Sequence, residues 1–121
     1  EKVTKVLFED NSYRDYMELN GLAMQLTEAL AEYWHSRIRA ELGFAYEEPE
    51  DMQGYFDLKY RGARFSLGYP ACPEMEDRKK VVELLMPERV GVSLSEELQL
   101  HPEQSTDAFV FHHPEAKYFS V

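Results

Sequence analysis

Cysteine is almost absent. Cys72 is the one thiol in 121 residues, which excludes an internal disulfide and fits a reducing compartment such as the cytoplasm. His35, His101, His112 and His113 have no zinc-like spacing with it, so no metal site is expected. Basic charge is also scarce: 13 Lys and Arg stand against 23 Asp and Glu, a formal net charge of −10. Phosphate neutralisation needs a basic face, and an anionic membrane surface calls for a basic amphipathic helix, so nucleic acid and membrane are excluded as partners. Unbroken apolar runs are only a few residues long, too short to span a bilayer, and no signal-peptide pattern opens the chain.

Apolar residues are plentiful. They make up 44% of the chain, with 8 Tyr, 7 Phe and 1 Trp, enough to build a core. The length suits one domain or part of one. The chain opens on Glu1 rather than Met and stops in the β-prone run Lys117–Val121, so residues 1–121 read as a piece of a longer polypeptide.

Residues 1–10, with Val3, Val6, Leu7 and Phe8, are expected to hold a short strand, and Asn11-Ser12 to cap the helix that follows. From Tyr13 to about Leu42 the spacing puts Tyr16, Leu19, Ala23, Leu26, Leu30, Tyr33 and Ile38 on one face of a helix of roughly eight turns. Gly21 inside it suggests close packing, and Gly43 a left-handed end. The acidic loop Glu47–Asp51 leads to a second helix near 50–60. A third is expected over Glu76–Met86, with Pro87 stopping it. Residues 92–100, 106–112 and 117–121 are β-prone, and turn-like segments at 101–104 and 113–116 separate them. The expectation is an α+β fold: a long helix and shorter ones packed on an antiparallel β-meander.

The Gly- and Pro-dense loop 61–75 is the most informative stretch. Cys72, between Ala71 and Pro73, reads as a small buried hydrophobe in a tight turn, with nucleophile or redox thiol as the alternative. Gly68 permits a positive φ or close approach to backbone, and Pro70 biases Tyr69 toward an extended conformation. Arg64 either offers a fork to a carboxylate or phosphate, or is a solvated residue before a structural turn. His112-His113 reads as a surface pair.

Arg64-Phe65-Ser66-Leu67-Gly68-Tyr69-Pro70-Ala71-Cys72-Pro73 resembles the Arg-x-x-x-Gly-Tyr-Pro-Ala-Cys-Pro signature of the S-adenosylmethionine-binding activation domain of cobalamin-dependent methionine synthase. The likeness continues through Leu26–Glu32, Arg37-Ile38-Arg39, Tyr60-Arg61-Gly62, Gly91–Glu96 and His113–Phe119, so it runs from about residue 20 to the C-terminus. Phe65, Ser66 and Leu67 depart from a more Pro/Ala-rich loop interior, and Phe119 from a second Tyr.

The resemblance implies that residues 1–121 are the C-terminal part of an activation domain. It implies a ligand held by Arg64, Gly68, Tyr69, Tyr118, Phe119 and Glu28, with an acidic residue from an upstream segment completing the site. Arg64 would pair the carboxylate, Glu28 the ammonium directly or through water, and the rings would face the sulfonium or adenine. Glu28 and Glu32 lie off the apolar stripe and read equally as a solvated face, and in an alternating strand Tyr118 or Phe119 would be core.

The implied function is a module of a methyltransferase of methionine biosynthesis, inactive as an isolated fragment. It would position S-adenosylmethionine for reductive methylation of cob(II)alamin on the cobalamin-binding module of the same polypeptide, with an electron from flavodoxin or an equivalent reductase. No side chain is expected to act as general acid, base or nucleophile. The alternative is an activation-domain-like binding or regulatory protein without methyl transfer. A free-standing methyltransferase is disfavoured, because no Gly-x-Gly-x-x-Gly follows a strand. Lys59, Arg61, Arg64, Arg78, Lys79 and Lys80 cluster in sequence and would offer a basic rim to an acidic flavodoxin.

Overall fold

The structure is a computed structural model and describes residues 2–119. In chain order its elements are α1 (Lys2–Glu9), α2 (Tyr13–Glu41), α3 (Met52–Phe56), β1 (Ala63–Phe65), α4 (Asp77–Leu85), β2 (Ser93–Leu94), β3 (Leu100–His101) and β4 (Phe109–Phe111), with 3-10 turns at Ala45–Glu47 and Pro87–Val90. Internal packing groups them into two units. One takes the residues up to Leu30 with Glu76–Thr106, the other Ala31–Met75 and the chain from Asp107 onward.

In the first unit, residues 2–9 are helical where a strand was expected. The spacing of Val3, Val6 and Leu7 is helical, without the strict alternation a strand needs. Asn11 then takes a left-handed φ of 56°, and the Ser12 carbonyl accepts from Tyr16 N at 2.9 Å to begin α2. Phe8 meets Tyr13 and Tyr16 edge-on, with centroids 5.6 and 5.5 Å apart.

The limits of α2 match the expectation to within a residue, but its inward face does not. Leu26, Leu30 and Tyr33 are more than half exposed. Asn20, Thr27, Glu32, His35, Ser36 and Arg39 are the positions turned inward, beside Tyr16, Leu19, Ala23 and Ile38. Polar side chains hold that face because most of their hydrogen bonds are met there, Glu32 Oε1 and Arg39 Nη1 being the buried side-chain atoms left without one among the described residues. In the first unit Thr27 Oγ1 lies 2.9 Å from the Gln104 carbonyl, and Gln104 Nε2 donates to Asn20 Oδ1 at 2.8 Å. The close packing expected at Gly21 is absent: a β-carbon there would meet nothing within 4 Å.

Helix α4 ends at Met86, which has a left-handed φ of 49°. Pro87 does not simply stop the chain but opens the 3-10 turn, since its missing N–H costs nothing at a first turn. Strands β2 and β3 form an antiparallel hairpin, Ser93 opposite His101. Arg78 is buried and donates from Nη1 to the Leu98 carbonyl at 2.6 Å.

In the second unit Gly43 (φ 91°) ends α2 in the left-handed conformation expected of it. Asp51 caps α3, its Oδ1 accepting from Gly54 N at 2.8 Å. Phe44, Tyr60, Ala63 and Leu67 are the buried hydrophobic residues, alongside buried His35 and Arg39. The class is α+β as expected, but no meander forms among the described residues. β4 pairs antiparallel with β1, Arg64 opposite Val110, and not with β3. The pairing was hidden because β1 lies inside the Gly- and Pro-dense loop, where Gly62 (φ 85°) brings the chain against the Phe111 backbone. Residues 117–119 form no strand, and the last two residues of that expected run lie outside the described residues.

Candidate functional site

Arg64, the central residue of β1, is one-fifth exposed. Its Nη1 donates to Glu32 Oε2 at 2.9 Å and lies 3.0 Å from His35 Nδ1. The Tyr60 hydroxyl donates to the same Glu32 oxygen at 3.1 Å. Behind them Arg39 pairs with Glu48, lies over the Tyr60 ring at 3.9 Å, and brings Nη2 within 3.6 Å of Glu32 Oε1. Glu48 also accepts from Ser36 Oγ at 3.2 Å and the Tyr55 hydroxyl at 3.0 Å. Glu32, His35, Ser36 and Arg39 follow one another at helical spacing, so a single face of α2 supplies them all.

Two guanidinium groups face two carboxylates, which leaves the imidazole between them little reason to charge. Burial, then the Arg39 and Arg64 charges, push the His35 pKa down to about 4. A guanidinium only donates, so Nδ1 of neutral His35 accepts from Arg64 and the ring proton resides on Nε2. Burial and the nearby Glu32 charge push the Tyr60 hydroxyl up to about 12, which keeps it a donor. The hydrogen bond from Arg39 holds Glu48 below the usual carboxylate range despite burial.

The loop after β1 is a closed turn. Gly68 has the expected positive φ of 88°, its N–H donates to the Cys72 carbonyl at 2.8 Å, and Cys72 N donates back to Tyr69 at 2.9 Å. Cys72 is half-buried and contributes its backbone to this turn. Among the described residues no group of three His, Cys, Asp or Glu side chains is placed to hold a metal ion. Met75 Sδ lies 2.6 Å from where a β-carbon on Gly68 would stand, so a flexible thioether occupies the space over that glycine. Tyr69 projects to solvent, more than half exposed.

Tyr118 and Phe119 are both about half exposed, where alternation in a strand would have buried one of them. The irregular backbone frees them from alternation, and both rings gather on Phe65, at centroid distances of 6.4 and 6.2 Å, with Phe111 at 5.7 Å. Phe65 follows Arg64 in β1, and successive strand residues point to opposite faces. One face of β1 therefore carries the ionic cluster and the other the aromatic cluster. Glu28 is exposed on α2 and belongs to the first unit, whereas Arg64, Gly68, Tyr69, Tyr118 and Phe119 belong to the second.

The basic rim does not form as free charge. Lys59 pairs with Asp57, Arg61 with Glu47, Arg64 with Glu32, Lys79 with Glu76 and Lys80 with Asp77, and Arg78 is buried. In so acidic a chain, Lys59, Arg61, Arg64, Lys79 and Lys80 each meet a carboxylate close by.

The family model for the activation domain of vitamin B12 dependent methionine synthase matches residues 1–121. The chain belongs to that family. It is 67% identical to methionine synthase of Mycobacterium tuberculosis and 65% identical to that of Mycobacterium leprae, over 95% of this chain and 10% of each relative. It thus spans about a tenth of the length of the curated relatives it matches. The crystal structure of the MetH reactivation domain bound to AdoHcy is similar at a TM-score of 0.89 and 30% identity, covering 98% of this chain and 37% of that one.

Within this activation-domain chain, sequence reasoning missed Glu32, His35, Arg39 and Tyr60 as companions of Arg64. The available signal was the spacing of Glu32, His35 and Arg39, which repeats like an apolar stripe while carrying polar side chains. No helix among the described residues is long and apolar enough to cross a membrane.

Proposed function

We propose that this chain supplies part of the surface that binds S-adenosylmethionine during reactivation of a cobalamin-dependent methionine synthase, as the C-terminal part of the activation domain. The observation that carries the reading is Arg64: a partly exposed guanidinium, held at one nitrogen, on the strand that leads into the positive-φ turn at Gly68. AdoHcy, named in the related crystal structure, is what remains of S-adenosylmethionine once its methyl group has left.

The donor set suits such a ligand. Arg64 would take its carboxylate through charge-assisted hydrogen bonds. Gly68 would let it approach the backbone where the Met75 thioether now lies, a side chain that moves easily. Tyr69 offers an exposed ring face for the sulfonium or the adenine, whereas Tyr118 and Phe119, gathered on Phe65 across β1 from the ionic cluster, stay in the proposal through the family resemblance. Glu28 remains part of the proposal through the family resemblance alone.

The task asked of these residues is binding and orientation. The sulfonium carbon–sulfur bond breaks, the methyl group leaves and AdoHcy stays behind. Cobalamin, on another module of the same polypeptide, would supply the cobalt that accepts the methyl group, with one electron from flavodoxin or an equivalent reductase. The proposed setting is the cytoplasm.

Calorimetric titration of S-adenosylmethionine into the intact protein tests the reading. Binding is expected, and Arg64→Ala should weaken it by about 1–3 kcal/mol, the scale of a charge-assisted contact. Unchanged affinity would remove Arg64 from the site.

A further inference from the structure

We propose that Glu32 and His35 are positioning residues: they anchor Arg64 by Nη1 and reserve its Nε–Nη2 edge for the carboxylate of the bound amino-acid ligand. This inference rests on Arg64 being the carboxylate-binding residue.

The argument starts from a count of hydrogens. A guanidinium carries five N–H donors in a fixed plane, two of them on Nη1. Those two are matched by Glu32 Oε2 at 2.9 Å and His35 Nδ1 at 3.0 Å. Among the described residues Nη1 is the one nitrogen of Arg64 in a hydrogen bond. The side-on edge, Nε with one N–H of Nη2, stays available as the parallel pair of donors that a carboxylate takes bidentately. An arginine on a short strand has four side-chain torsions to fix, and a pre-anchored fork loses less freedom on binding than a loose one.

The anchors are themselves held. His35 is 2% exposed and packs edge-on against the Tyr60 ring at 5.2 Å. Tyr60 is buried, and its hydroxyl fixes the Glu32 oxygen that Arg64 uses. Both anchors sit one turn apart on α2, so they present acceptors from a rigid element. Imidazolium at position 35 would turn the acceptor into a donor and break the arrangement. Burial and the two arginines keep the ring neutral.

The test compares S-adenosylmethionine with its decarboxylated form, which keeps the ammonium, sulfonium and adenine but lacks the carboxylate. Titrations use the intact protein. The ratio of the two affinities reports carboxylate recognition alone, and binding of the decarboxylated form certifies that each variant is folded. The native protein should prefer the carboxylate by about 10-fold or more. His35→Leu and Glu32→Ala should cut that preference by at least about threefold, with little change for the decarboxylated ligand. Should His35→Leu fail to fold, His35→Asn and His35→Gln decide. Asn places an acceptor near the Nδ1 position and should keep the preference, while Gln reaches the Nε2 position and should lose it. Full preference in both Gln and Leu variants, with Arg64→Ala abolishing it, overturns the anchoring role and leaves the Arg64 reading standing. Full preference in Arg64→Ala removes both.

Discussion

Gly62 and Phe111 meet backbone to backbone: a β-carbon on Gly62 would stand 2.1 Å from the Phe111 carbonyl oxygen, and Gly62 has a φ of 85°. The neighbour is main chain, which has no rotamer to yield. Gly62→Ala should therefore destabilise the protein by about 2–4 kcal/mol, combining a left-handed backbone penalty with a steric clash. Gly91→Ala, with φ at 80° but nothing within 4 Å, should cost only about 1 kcal/mol. Urea unfolding of the two variants side by side checks the difference.

Gly21→Ala should act in the opposite direction. The residue lies inside α2 with an ordinary φ and open space where a methyl group would go. Replacing a mid-helix glycine by alanine should raise stability by about 0.5–1 kcal/mol. A lower melting temperature would contradict the open environment.

The Arg39–Glu48 pair predicts an asymmetry. Arg39 is 1% exposed, and its loss would leave Glu48 among buried groups without its main partner. Arg39→Met should cost about 3–5 kcal/mol, whereas changing Arg39 and Glu48 together to Met and Gln should recover much of the loss. A double-mutant cycle by denaturation measures the coupling.

His35 predicts a window of acid sensitivity. Its pKa is about 4 in the folded chain against 6.5 for an ordinary histidine. Above pH 6.5 both folded and unfolded states hold it neutral, and its contribution is complete. As the pH falls toward 4 the unfolded chain takes up a proton that the folded chain refuses, so up to about 3 kcal/mol of stability drains away. Below 4 both states are protonated and this loss stops. His35→Gln should flatten the difference across pH 4–6.5 in urea denaturation, and parallel profiles for the two proteins would refute the neutral buried ring.

Helices α2, α3 and α4 were readable because their signals are local, whereas α1 stands where a strand was expected. The limits of α2, Gly43 at its end and the Gly68 turn each depend on a few neighbouring residues, and all three stand as expected. The inward face of α2 was not readable from hydrophobicity. Asn20, Thr27, Glu32, His35 and Arg39 turn inward by virtue of partners such as Gln104, Tyr60 and Arg64, which are distant in sequence. The same limit hid β1. Three residues inside a Gly- and Pro-dense loop carry no strand signal, and Ala63–Phe65 is extended because Phe109–Phe111 pairs with it. At the site, the loop motif pointed to Arg64, but what holds Arg64 is written on a helix more than twenty residues earlier.

The pairing of β1 with β4 also predicts an order of assembly. Arg64 lies opposite Val110, so the strand that carries it must wait for a partner made much later in synthesis. Closing so long a loop is entropically slow, and contacts of high sequence separation form late. Helix α2, complete by Glu41, can fold first and present Glu32 and His35 in advance. The guanidinium would then find its anchors before its strand finds its partner, and the ionic cluster would act as a template on which the sheet is finished.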